Sequence, residues 1–302
     1  MNSDKEIGRL PRVVVVVRCH TLAPFVVDTV DSIRHYSVTN PIIVVAVDRS
    51  VEVAEYVKRE CSDVKVFLNH KVCGWGSGMH RLFCEVMRWI FEQGLQFDFL
   101  IHQDYDLIFT GRGADVRFLP AFEDARVGMV GKHTVNNLHW ASRFRSNLNK
   151  IAALFNKSGK QFPLNYRLGE HCAGAFNIFS YQCLWDMYRM GFLSPPFSDI
   201  CERVDVADDP LISFFVVAAG YKMMSLGTGA HIEWRLSVDY KRLGEDICVF
   251  HPTKIVEGNK PWVVSRELEC RNYFREKRGQ LPMSVEGLPK TAGPHNIMLR
   301  RS

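Results

Sequence analysis

Four short apolar runs punctuate the first hundred residues, and segments with helical patterning separate them. Residues 13–17 (five valines), 42–47, 64–68 and 97–101 each read as a buried strand. Apolar runs of about 4–8 residues bounded by polar or turn-forming residues mark strands covered on both faces. Between them, residues 24–36 place Phe25, Val26, Val30 and Ile33 on one side of a helix, and residues 51–60 also read as helical. Residues 81–93 carry apolar side chains at 82, 83, 86, 87, 89 and 90, and Gly94 supplies a natural C-terminal cap. Strands alternating with helices imply a parallel sheet with right-handed crossovers. The expected class is α/β, with a mostly parallel central sheet and helices on both faces. Ligands in such sheets bind beyond the carboxyl ends of the strands. That rule sets Cys19-His20, Asp48-Arg49, the glycine-rich turn at 74–78 and Asp104-Tyr105-Asp106 along one rim.

A chain of 302 residues can bury one large core or two small ones. With 47% apolar and 24% charged residues it has the composition of a soluble globular protein. No apolar stretch approaches the roughly 20 residues needed to span a bilayer. The run at 13–17 is too short for a signal-peptide core and is flanked by Arg12 and Arg18. The nine cysteines are scattered, odd in number and form no C-x-x-C pair. A reducing, cytoplasmic setting is therefore expected, although a chain trimmed of a membrane anchor would read the same.

The net charge of +5 is unevenly spread: residues 132–167 hold seven Lys/Arg and no Asp or Glu. A second basic cluster runs through Arg271, Arg275, Lys277 and Arg278, and Arg300-Arg301 follow. No nucleic-acid motif accompanies this charge, so nucleic acid is not the expected partner. An anionic acceptor, a phosphate-bearing donor or a merely solvated surface each accounts for it.

The second half is less regular. Strands are expected at 127–130, 173–179, 222–226 and 231–234, and helices at 181–190 and 211–219, the latter following Asp208-Asp209-Pro210. The basic stretch at 139–167, containing Arg143, Arg145 and Lys150, reads as a lid over an acceptor. No internal repeat or low-complexity tract is present.

Asp104 and Asp106 carry the chemistry. Two carboxylates spaced i, i+2 at the mouth of a strand are costly to bury without positive charge. A hard divalent cation, Mn²⁺ or Mg²⁺, meets that need and leaves coordination sites for a diphosphate. Asp-x-Asp is also common as solvated loop acid, so its surroundings decide. The turn at 74–78 lacks the Walker Lys-Ser/Thr and does not fit G-x-G-x-x-G, which argues against a P-loop or dinucleotide site.

The order of these parts resembles the GT-A class of nucleotide-sugar-dependent glycosyltransferases, with a family-2-like sequence of motifs. The residues that carry the resemblance are Val44-Val45-Ala46-Val47-Asp48, a glycine turn before a helix, and Phe99-Leu100-Ile101-His102-Gln103-Asp104-Tyr105-Asp106. Ala173-Gly174-Ala175-Phe176, Asp208-Asp209-Pro210-Leu211 and Gly220-Tyr221-Lys222 follow in order. The resemblance implies a single Rossmann-like domain over residues 1–265, with a small second sheet near the active site. Its nucleotide-binding half would span about 11–110 and its acceptor half 111–265, leaving 266–302 as a basic tail.

The same resemblance implies roles. Asp48 would contact the base or ribose, Asp106 would ligate the metal, and Asp104 would hold ribose or metal-bound water. Gly174 and Ala175 would form a backbone wall beside the donor sugar. Asp209 would be the general base, with Asp208 standing where the family has Glu; that departure leaves the division of roles between the two acids open. Both acids could instead simply cap the helix at Pro210. His251 is preferred to His231 as a third metal ligand, and Lys254 and Lys260 are suited to phosphate oxygens. The implied activity moves a sugar, most simply from a UDP-sugar, to a hydroxyl of a glycan, lipid or protein acceptor. The alternatives are a non-catalytic transferase-like binding protein and a sugar nucleotidyltransferase. The latter would carry a Gly-rich basic loop after the first strand, where this chain has Arg18-Cys19-His20-Thr21-Leu22-Ala23-Pro24.

Overall fold

The valine run becomes the centre of the molecule. Strand β1 (Val13–Cys19) is buried at all seven positions, because it has a strand on either side and helices on both faces. Val13, Val15 and Val17 enter one hydrophobic cluster, and Val14 and Val16 the other. The period of two along a strand thus divides one apolar run between two cores. The computed structural model describes residues 9–20, 22–70, 77–233, 239–253 and 264–284.

The chain continues through α1 (Ala23–Tyr36), β2 (Ile42–Asp48), α2 (Val51–Glu60), β3 (Lys65–Asn69), α3 (Ser77–Glu92), β4 (Phe99–Asp104) and β5 (Ile108–Phe109). It then forms β6 (Val127–Thr134), α4 (Leu138–Lys157), β7 (His171–Ser180), α5 (Tyr181–Arg189) and α6 (Asp208–Ala218). The last described elements are β8 (Lys222–Ser225), β9 (Ala230–Ile232), β10 (Val249–His251) and α7 (Val264–Lys277). The fold is α/β. Seven strands in the order β3-β2-β1-β4-β7-β6-β8 make the central sheet, and β5-β10-β9 make a small second one. Helices α1, α2 and α7 cover one face of the main sheet; α3, α4, α5 and α6 cover the other.

The main sheet is parallel except for β7, which runs antiparallel to both β4 and β6. The early residues of β7 therefore reach the rim formed by the carboxyl ends of β1, β2 and β4. Pairing between β6 and β7 is also interrupted: Gly131 pairs with Asn177, but the next residue, Lys132, pairs with Ala173. β7 advances four residues where β6 advances one, so Gly174, Ala175 and Phe176 lie outside that ladder. Irregularities of this kind re-aim backbone and side chains beside functional sites.

Local chemistry sets the helix starts. The side chains of Ser50, Asn137 and Ser180 accept hydrogen bonds from the N–H groups of Val53, Trp140 and Cys183, capping α2, α4 and α5. The basic stretch read as a lid is the 20-residue helix α4 and the segment after it. Phe144, Ile151, Leu154 and Phe155 recur on one side of α4 and are buried, with Phe144 and Phe155 against Phe214 of α6, so the charge sits on the outer face of a packed helix. Arg143 pairs with Asp205, and Lys150 donates to the Arg203 carbonyl at 3.1 Å.

Residues 266–302 read as a basic tail, yet the boundary at 265/266 falls inside α7. Arg271 is completely buried there, paired with Asp28 of α1 and with Glu267. The expected strand at 231–234 is Ala230–Ile232; the following residues 234–238 lie outside the described residues. No described helix is long and apolar enough to cross a membrane.

Candidate active site

Arg18 ends the apolar part of β1 and is only 7% exposed. A buried guanidinium needs carboxylates and carbonyls around it, and the rim supplies them. Nε pairs with Asp104 at the end of β4, Nη1 donates to Asp208 Oδ2 at 2.6 Å, and Nη2 donates to the Gly174 carbonyl at 3.1 Å. β1 and β4 are parallel neighbours in which Arg18 sits directly opposite Asp104. Asp208 comes from the first turn of α6, and Gly174 from the unladdered part of β7.

Asp209 lies against Gly174. It accepts a hydrogen bond from the Gly174 N–H, and a Cβ added at position 174 would overlap Asp209 Oδ1. Both backbone polar groups of Gly174 thus leave the β6–β7 ladder and serve the site, its N–H to Asp209 and its carbonyl to Arg18. Asp208 and Asp209 do not cap α6. Ala207 is the N-cap, with no side-chain hydrogen bond, and both acids occupy the first turn. There the partial positive charge of a helix N-terminus favours them.

On the other side of Arg18, ligand-capable atoms of Asp104, Asp106 and His251 all lie within 4.8 Å of one another. His251 Nε2 is 3.7 Å from Asp106 Oδ2. The second sheet makes this meeting possible. β5 follows Asp106 almost immediately, and β10, which pairs with β5, ends on His251. His231 lies on the neighbouring strand β9, stacked on Phe250 with ring centroids 5.5 Å apart, and is outside the group.

The charge balance is negative. Asp104, Asp208 and Asp209 surround Arg18, Asp106 lies beside Asp104, and Asp106, Asp208 and Asp209 are at most 7% exposed. Burial, reinforced by Asp106, holds Asp104 above the usual carboxylate range against the pull of Arg18. Burial and the neighbouring Asp208 push Asp209 well above that range, again opposed by Arg18. Two carboxylates and an imidazole are donors that suit a divalent cation such as Mn²⁺ or Mg²⁺. The buried Nδ1 of His251 has no hydrogen-bond partner among the described residues. Bonds of about 2.1 Å join ligand atoms up to about 4.2 Å apart, so side-chain adjustments of a few tenths of an ångström close the set. The residues fit such an ion.

Other expected site residues are placed elsewhere. Asp48 ends β2, two strands from Asp104, with Arg49 Nε at 3.7 Å and Asn69 Nδ2 donating to it at 3.2 Å. Ala175 points into the hydrophobic cluster on the opposite face from Gly174 and Asp209. Lys254 and Lys260, like most of the turn at 74–78, lie outside the described residues. Sequence reasoning missed Arg18, which it took only as a charged border of a strand. The signal was available: an arginine at the end of an all-apolar strand, on the rim that gathers the acids.

Comparison with solved structures finds a mannosyltransferase, PcManGT from Pyrobaculum calidifontis, in complex with GDP-Man and Mn²⁺. It is 18% identical over 72% of this chain and 55% of that one, with a TM-score of 0.44. This chain spans about half the length of that protein. No protein-family model matches. No curated protein matches either.

The site has two halves joined by one guanidinium. A cation-type set (Asp104, Asp106, His251) faces one side of Arg18, and a carboxylate pair at a helix start (Asp208, Asp209) faces the other. Such a layout can hold a phosphorylated group at the first half and accept a proton at the second.

Proposed function

We propose that this chain is a glycosyltransferase of GT-A type, moving a sugar from a nucleotide-diphosphate donor to an acceptor hydroxyl. The observation that carries the reading is the pairing of Arg18 with Asp104 on one side and Asp208 on the other. It sets a metal-and-diphosphate half against a proton-accepting half within the span of a single side chain.

Asp104, Asp106 and His251 would hold a divalent cation, which when bound offsets the charge that builds on a departing diphosphate. Asp48 is assigned to the nucleoside, at the rim where β2 ends. Lys254 and Lys260 follow His251 in sequence and are assigned to phosphate oxygens. Gly174 keeps the space above Asp209 clear and fixes its carboxylate through the backbone N–H. The Asp209 carboxylate, made more basic by burial and by Asp208, takes the proton of the acceptor hydroxyl. As that proton leaves, the acceptor oxygen bonds to the anomeric carbon and the bond from that carbon to the diphosphate oxygen breaks. Asp208, tied to Arg18, keeps the first turn of α6 in register with β4.

The test is nucleotide release from a panel of UDP-, GDP-, ADP- and CDP-sugars with Mn²⁺, for wild type and Asp209→Asn. Release of one nucleotide by wild type, sharply reduced in the variant, supports the reading and names the donor; a UDP-sugar is the first to try. Release from none of them, with or without glycan acceptors, contradicts it.

A further inference from the structure

We infer that Arg271 and Glu267 of α7 are positioning residues for the candidate cation site, acting on Asp106 through its own backbone. The inference rests on reading Asp104, Asp106 and His251 as that site. Arg271 Nη2 donates to the Tyr105 carbonyl at 2.8 Å, and the Thr253 N–H donates to the Asp106 carbonyl at 2.8 Å. These two carbonyls belong to the peptide units on either side of the Asp106 Cα, so holding both fixes the backbone dihedrals from which the Asp106 side chain projects. Glu267 Oε1 joins the two anchors: it accepts from Arg271 Nε at 2.9 Å and from the Thr253 hydroxyl at 2.9 Å. Thr253 stands two residues after His251, so the same carboxylate steadies the strand end that carries the third ligand.

The cost of this arrangement points to a purpose. Arg271, Glu267, Thr253 and Asp28 are all fully buried. Arg271 Nη1 reaches Asp28 Oδ2 at 2.9 Å, and its guanidinium stacks over the Phe25 ring at 4.8 Å. Taking such charges out of water is expensive, and apolar residues of similar volume commonly hold two helices together as well or better. Apolar packing cannot, however, donate directed hydrogen bonds to chosen carbonyls. The groups that orient metal ligands from behind typically matter by about 10–100-fold in metal affinity. Arg271 is thus neither a solvated surface charge nor part of an anion-binding tail.

The experiment is Mn²⁺ titration of the full chain, read by the paramagnetic resonance signal of the free ion, alongside thermal unfolding. Arg271→Lys keeps the charge but cannot span Asp28, Glu267 and the Tyr105 carbonyl together. Thr253→Val is milder: it keeps the N–H bond to the Asp106 carbonyl and removes the hydroxyl, which lies 2.9 Å from Glu267 Oε1 and 3.1 Å from that carbonyl. Asp115→Asn is the control: this buried carboxylate accepts from the Val38 and Thr39 N–H groups at 3.0 and 2.8 Å, so its loss lowers stability without touching Asp106. The expected result is a Kd raised about tenfold or more by Arg271→Lys and by Thr253→Val, with the control binding like wild type. If Arg271→Lys does not fold, Thr253→Val alone decides by the same criterion. Folded variants that bind Mn²⁺ as wild type does overturn the inference, as does a control that loses affinity equally. A wild type that binds no Mn²⁺ overturns the cation-site reading, and this inference with it.

Discussion

Arg18 and Asp208, 190 residues apart in the chain, meet at 2.6 Å through a guanidinium that also holds Asp104. The contact joins the first strand of the sheet to the first turn of α6, and so joins the two halves of the candidate site.

Removing that guanidinium leaves Asp104 and Asp208 buried without their shared counter-charge. Breaking one side of a buried ion pair costs about 3–5 kcal/mol. Arg18→Met is expected to lose stability of that order in urea unfolding and to lose transfer activity. Arg18→Lys should regain part of the stability but little activity, because one ammonium cannot reach both acids and the Gly174 carbonyl. An Arg18→Met variant as stable as wild type would show that the bridge is not the tie described.

Gly174→Ala tests the close approach of Asp209 to β7. The added methyl falls on Asp209 Oδ1, so either the carboxylate or the strand must move. Forcing a methyl into a packed site typically costs about 1–3 kcal/mol. The variant should fold, keep its Mn²⁺ and nucleotide affinity, and lose most of its kcat. Unchanged kcat would remove Asp209 from its assigned position.

Asp209→Asn separates chemistry from binding. Loss of a general base lowers rate by about 10²–10⁴, and the nucleotide half of the site does not include this side chain. Steady-state kinetics should show a fall in kcat with donor KM little changed. A rise in donor KM at constant kcat would reassign Asp209 to donor binding.

His80 on α3 gives the protein a pH dependence of its own. It is fully buried, stacked on Phe215 with centroids 5.2 Å apart, and burial lowers its pKa from 6.5 to about 4. Between those values the unfolded chain binds a proton that the folded protein refuses. Stability from this group is therefore complete above pH 6.5 and lost as pH falls toward 4, by up to about 3 kcal/mol. His102, held neutral by burial and by Arg18, acts in the same direction. Urea midpoints at pH 7, 5.5 and 4.5 should fall less steeply for His80→Phe, which keeps the stack, than for wild type. Parallel curves would contradict the assignment.

The sheet and its rim were legible because they depend on short-range pattern. Apolar runs of strand length and helical stripes between them place Asp48, Asp104 and Asp106 by topology alone. The antiparallel sense of β7 was not legible, since residues 173–179 read as a strand without stating its direction. Yet that direction brings Gly174 to Asp209. Arg18 was missed because its partners Asp104 and Asp208 lie 86 and 190 residues away, and a charged residue at the end of an apolar run looks like a boundary. The same holds for α7. Glu267 and Arg271 are spaced i, i+4, a helical ion pair in their own right, but Asp28, which explains why Arg271 is buried, is 243 residues distant. The basic stretch at 139–167 shows its charge plainly in the sequence, whereas its apolar side, Phe144, Ile151, Leu154 and Phe155, emerges only once α4 is formed.

The central claim is that Asp106 belongs to a cation site that holds a nucleotide diphosphate. Calorimetric titration of UDP, GDP, ADP and CDP, with and without Mn²⁺, on wild type and Asp106→Ala tests it most directly. Tight binding of one nucleotide that requires Mn²⁺ and is lost in the variant is the expected result. Binding of none of the four, or binding indifferent both to Mn²⁺ and to Asp106, would contradict it.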